Sequence, residues 1–160
     1  MSRAFALCIV VSLVSCLGKL PIPEESWRMT GKLSVQTATE SRILGIDWIH
    51  RAGNNSISLR GPLGVRVALI KTEGDELIMT TGEVAITYDK NNWIDEFGLE
   101  KLILPWHRLE EWVRLGETGT SEFGEWQFQI TEMSAEGPIR MRLEHPKISL
   151  KLKVNRWSLL

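Results

Sequence analysis

Cysteine is nearly absent: the 160 residues hold two, Cys8 and Cys16, both close to the start. A disulfide framework and a thiolate zinc site are thereby excluded for the body of the chain. The three histidines, His50, His107 and His145, fall in unrelated elements, so no metal is expected. His107 and Glu111 stand four apart, but Glu111 occupies the place where the helical zinc motif needs a second histidine. A phosphate loop is missing as well. Gly31-Lys32 has Ser26 where the first glycine belongs and Leu33 where Ser or Thr should follow. No serine lies in a G-x-S-x-G elbow, and the acidic pairs Asp95-Glu96 and Glu110-Glu111 read as solvated helix charge. Neither an enzyme nor a cofactor is expected.

Charge of one sign is lacking too. The net charge is -1, and the basic residues read as scattered, which gives no signal for nucleic acid. With 43% apolar and 24% charged residues, the chain has the material for one folded domain with a core.

Residues 1–15 are of a different composition. Arg3 is followed by an apolar run from Ala4 to Val14, broken only by Ser12. At about a dozen residues the run is too short to span a bilayer and reads as a signal peptide. It ends Leu13-Val14-Ser15-Cys16, which resembles the bacterial lipobox and implies cleavage before Cys16 and acylation of that cysteine. Cleavage removes one of the 19 basic residues, Arg3, and none of the 20 acidic ones, leaving a formal charge of -2. Charge is then no membrane anchor, and the lipid has to serve. Leu17 stands where an aspartate would favour inner-membrane retention, so the expected address is the outer membrane, facing the periplasm. Residues 16–26, with Pro21 and Pro23, read as a lipidated tether of roughly 30 Å reach, and residues 27–160 as the domain.

From Trp27 the pattern has period two. Trp27, Met29, Gly31, Leu33 and Val35 share one face; Leu44, Ile46, Trp48 and His50 share the next, followed by Ile57 with Leu59. Val65, Val67 and Leu69 alternate with Arg66, Ala68 and Ile70, and strands are expected at 76–81 and 83–88. Asp89 is a plausible N-cap for a helix carrying Trp93, Ile94 and Phe97 and ending at Gly98. A second helix is expected from Pro105 to Leu115, with Leu109, Trp112 and Val113 apolar. A polar stretch, 117–124, separates it from three clean alternations built on Trp126, Phe128 and Ile130, on Ile139, Met141 and Leu143, and on Ile148, Leu150, Leu152 and Val154. Trp157 is expected in a last short strand.

About ten one-sided strands predict a sheet curled on itself, with the helices as lid or plug. Ten strands at about 4.8 Å, tilted by about 40°, give a diameter near ~20 Å and a bore of roughly 10 Å once side chains are subtracted. Of the seven tryptophans, Trp27, Trp48, Trp126 and Trp157 occupy apolar strand positions and Trp93 and Trp112 helix faces, which favours core or cavity lining over exposed stacking.

One turn breaks the rule that tips are polar. Gly61-Pro62-Leu63-Gly64 closes a hairpin with a bare leucine. Pro62 presets φ at the second position, and Leu63 is most easily placed as the third residue of a type I turn, which splays and projects.

Taken in order, Trp27 with Gly31-Lys32-Leu33, Asp47-Trp48, Gly61-Pro62-Leu63-Gly64, Leu109 with Trp112, Gly124-Glu125-Trp126, Pro138 and the lysine-rich final strand before Trp157 resemble the LolB family. The resemblance covers essentially all of the mature chain. It implies a mainly β fold, a half-open antiparallel β-barrel of about ten strands with a short-helix lid over an apolar cavity. It also implies a monomer that accepts acylated lipoproteins from the periplasmic carrier LolA and inserts them into the outer membrane without nucleotide. The expected partners are therefore that carrier, the acylated cargo and outer-membrane lipid. The family's membrane-inserting leucine matches Leu63, framed by Gly61, Pro62 and Gly64. Leu33, Val35, Ile46, Trp48, Leu59, Trp112, Trp126 and Leu150 are the expected acyl-cavity lining. Two departures stand out: a short segment before Trp27, and Leu44-Gly45-Ile46 in place of a more aromatic run. The competing reading is a structural or assembly lipoprotein whose filled barrel binds a protein partner. A hollow apolar interior separates the two.

Overall fold

Period-two alternation broken every few residues by a turn leaves one simple way to bury the apolar faces, as consecutive antiparallel hairpins. The computed structural model, which describes residues 26–89, 106–115 and 118–160, takes that route. One meander is built from β1 (Trp27–Thr37), β2 (Ser41–Arg51), β3 (Asn54–Arg60), β4 (Arg66–Glu73), β5 (Glu76–Thr81) and β6 (Val84–Asp89). A second is built from β7 (Gly119–Phe123), β8 (Trp126–Ser134), β9 (Gly137–His145) and β10 (Ile148–Leu159). Pairing of β1 with β10 joins them into one ten-stranded antiparallel sheet, in the order β6-β5-β4-β3-β2-β1-β10-β9-β8-β7. Among the described residues nothing pairs β6 with β7, so the sheet is open.

The inner face carries the core, and α1 (Trp106–Leu115) lies on it with Trp112 and Val113 buried. Trp112 stacks on Phe128 of β8, ring centroids 5.0 Å apart, while Glu110 Oε2 accepts a hydrogen bond from Asn55 of β3 at 3.0 Å. In a flat sheet Asn55 and Phe128 would be separated by five strand steps and by the eight residues of β1 between Trp27 and Val35. That is roughly 35 Å at about 4.8 Å per step and about 3.3 Å per residue. A helix with its side chains is only about 10–12 Å across. The sheet therefore curls around α1, and the curl is the half-barrel.

Several expectations need correction. The polar stretch 117–124 contains β7, an edge strand paired with β8 in which every residue is exposed, so no apolar alternation marked it. Trp157 does not begin a new strand: β10 runs unbroken to Leu159. Thr30 faces Arg156 while Gly31 faces Val154, which makes Asn155 an extra residue that reverses the side-chain parity. Trp157 is thereby turned inward beside Met29. A second slip, Leu59 opposite Ala68 but Arg60 opposite Arg66, leaves Val67 unpaired. The buried face of β4 is consequently Ala68 and Ile70, and Val65 and Val67 are exposed. Asp89 is the last residue of β6, opposite Glu76, and the helix it was expected to cap lies beyond the described residues. The expected helix with Trp93, Ile94 and Phe97 lies outside the described residues, as do the signal segment, Cys16 and the tether up to residue 25.

Candidate functional site

The hairpin tip between β3 and β4 is held by its backbone. Gly61 N–H donates to the Val65 carbonyl at 2.8 Å, and Gly64 N–H to the Gly61 carbonyl at 3.2 Å. Leu63 sits at φ 62°, ψ 13°, in the left-handed region, and Gly64 at φ 76°. With Pro62 restricted to negative φ, this is the third-position geometry of a type II turn, not of the type I turn that leucine chemistry favours. A leucine there bears a strain of about 1–2 kcal/mol that glycine would not. Its side chain is also 101% exposed, and Val65 and Val67 below it are exposed as well. Strain and solvation both oppose this leucine, and the turn nevertheless presents it.

The inner face divides into two parts. At the end nearest Trp27, rings fill it: Trp27 lies 5.3 Å from both Trp48 and Trp157 and stacks on His50 at 5.2 Å and 17°. Nearer the β1–β2 turn the inward residues are aliphatic and only half-buried. Leu33 faces Leu152 and Val35 faces Leu150 across β1 and β10. Of the expected lining, Ile46, Trp48, Leu59, Trp112 and Trp126 are buried in the core, whereas Leu33, Val35 and Leu150 form this half-buried strip. All eight side chains belong to the same core cluster or pack against it.

Between rings and helix lies a polar junction that pattern reading missed. Asn55 Oδ1 accepts from Trp48 Nε1 at 2.8 Å and lies 3.1 Å from His50 Nδ1, while Asn55 Nδ2 donates to Thr72 Oγ1 at 3.2 Å and to Glu110 at 3.0 Å. His50 Nδ1 also lies 3.4 Å from Glu110 Oε1. Both neighbours of that nitrogen are acceptors, which assigns it the proton. Glu110 is thus a partner of the sheet and not solvated helix charge. A signal did exist: β2, β3 and β4 each carry the inward series on to a polar residue, His50, Asn55 and Thr72, all buried.

No group of three or more His, Cys, Asp or Glu residues able to hold a metal occurs among the described residues. What the site offers is apolar contact, a projecting leucine and a helix laid across the inner face. Together these define an open single-sheet half-barrel with one helix on its inner face and an apolar tip at one hairpin. The family model described as outer membrane lipoprotein LolB matches residues 25–157, and the chain belongs to the LolB family. Its setting is accordingly that of lipoprotein transport and localisation at the outer membrane. No curated protein matches the chain. Among solved structures, the crystal structure of a LolA superfamily protein from Nitrosomonas europaea matches with a TM-score of 0.46 and 9% identity, over 86% of this chain and 87% of that one.

Proposed function

We propose that the protein is an outer-membrane-anchored acceptor and insertase for acylated lipoproteins. On this reading residues 1–15 are removed, Cys16 is acylated, and residues 16–26 tether the domain at the periplasmic side of the outer membrane. Cargo arrives from the carrier LolA. Its acyl chains rest against the half-buried strip of Leu33, Val35 and Leu150, with Leu152 beside them, and pass on to the bilayer. No nucleotide is needed, because each step buries apolar chains better than the last, at about 0.8 kcal/mol per CH2.

The observation that carries the proposal is Leu63, fully exposed and at φ 62°. Entering lipid gains such a side chain about 1.5–3 kcal/mol. That is too little for an anchor and enough to offset its strain and perturb headgroup packing. The half-buried strip supports a cargo-holding inner face over a filled barrel. The test is delivery: LolA loaded with a labelled lipoprotein is mixed with outer membranes containing Leu63→Glu. Folding is expected to survive and incorporation to be lost; undiminished incorporation refutes the role of the tip.

A further inference from the structure

Dispersed along the chain, the basic residues are gathered by the strand register. On the outer face Arg66 of β4 stands opposite Arg60 of β3, Arg60 opposite Gly45 of β2, and Gly45 opposite Lys32 of β1. Lys32 in turn faces Lys153 of β10, and Lys153 faces Arg140 of β9. Five exposed cations therefore occupy one rung crossing six strands, and Lys151 opposite Arg142 begins a second. The rung runs into the hairpin tip, because Arg60 and Arg66 are the feet of the turn that carries Leu63.

Three carboxylates of this face, Asp47, Glu132 and Glu144, are already engaged. Asp47 binds Arg28 through two hydrogen bonds of 2.7 and 2.8 Å, which together with its charge hold that guanidinium above the ordinary arginine value. Glu132 pairs with Arg140 at 2.8 Å and Glu144 with Arg142 at 3.3 Å. Among the described residues no carboxylate pairs with Lys32, Lys153, Arg60 or Arg66. Like charges directly opposite on a sheet repel and destabilise the pair, and an anionic surface laid against them relieves the repulsion. Gly45 adds no side chain to obstruct that approach.

We propose that the outer face of β1, β3, β4 and β10, where Lys32, Arg60, Arg66 and Lys153 stand, docks on an anionic phospholipid surface. The lipid phosphates bind the cation rung while Leu63 enters between headgroups. Exposed apolar side chains beside the rung, Val65 and Val67 at the tip and Ile43 on β2, favour lipid over an acidic protein, which has no use for a solvated leucine. The inference rests on the membrane-directed reading of Leu63.

The test uses the full chain, unacylated, and compares its binding to vesicles of phosphatidylcholine alone with vesicles containing one-third phosphatidylglycerol. Any contribution of the N-terminal segment is common to all variants. The wild type is expected to prefer anionic vesicles by more than tenfold in low salt, a gain that fades as salt screens it. Lys32→Gln with Lys153→Gln should cut the preference by roughly fivefold per charge, while Arg51→Gln with Arg108→Gln, an equal charge change elsewhere, should leave it intact. No preference in the wild type, or equal loss in both double variants, overturns the proposal. So does stronger displacement by polyglutamate than by anionic vesicles, which assigns the face to an acidic protein. Normal delivery without anionic preference sinks this inference alone, whereas anionic preference without delivery sinks the insertase reading.

Discussion

Glu110 and Asn55 join α1 to the sheet: the carboxylate accepts the amide N–H at 3.0 Å, and the same amide also donates to Thr72. Removing the carboxylate strands the Asn55 donor beneath the helix. Glu110→Ala is expected to cost about 1–3 kcal/mol, and Glu110→Gln, which keeps an acceptor oxygen, less than half of that. Thermal unfolding followed by circular dichroism compares the two. An unchanged melting temperature for the alanine variant would show that the junction contributes nothing to stability.

Among the described residues, two other than glycine have positive φ, Ala52 at 47° and Leu63 at 62°. Glycine relieves about 1–2 kcal/mol of strain at each, partly offset by its greater freedom in the unfolded chain, for a net gain of about 0.5 kcal/mol. Ala52→Gly and Leu63→Gly should therefore both unfold at slightly higher temperature. Only Leu63→Gly should lose delivery. A glycine tip that still delivers cargo would mean the strained leucine is incidental.

Gly31 lies where β1 meets the β10 bulge, and a Cβ placed on it runs into the Lys153 carbonyl. Backbone must shift to admit it, so Gly31→Ala should cost about 1–3 kcal/mol. At Gly45 the nearest atom to a new Cβ is 3.6 Å away, an ordinary contact, and Gly45→Ala should be close to neutral. Urea midpoints measured side by side decide this.

Val35 and Leu150 face each other in the half-buried strip. If acyl chains rest there, Val35→Ser or Leu150→Ser weakens uptake of a fluorescent acyl probe by about tenfold per side chain. Delivery should fall with it while vesicle docking stays normal. Unaltered uptake in both variants would remove the strip from the cargo path.

Most of the architecture was legible because burial writes a period of two into the sequence. Trp27 to Val35 and Leu44 to His50 display their inward faces openly, and both lie where that alternation puts them. β7 was not legible, since a strand with no buried face leaves no alternation to read. The bulges at Val67 and Asn155 escaped for another reason: an unpaired residue reverses parity without changing composition, so β4 and the end of β10 were assigned the wrong face or the wrong extent. The tip was located correctly, but its turn type was inferred from leucine's preference, which the structure overrides. Register is a property of pairs of strands, and for that reason the cation rung reads along the chain as scattered charge.

A closed barrel has its radius fixed by strand number and stagger, because every strand is hydrogen-bonded on both sides. Here β6 and β7 close no such ring among the described residues, so the ladder sets no circumference. The width of the inner face is governed by side-chain contacts with α1, which yield more gradually than a ladder. An open sheet of this kind can widen or tighten its curl without breaking a single interstrand bond.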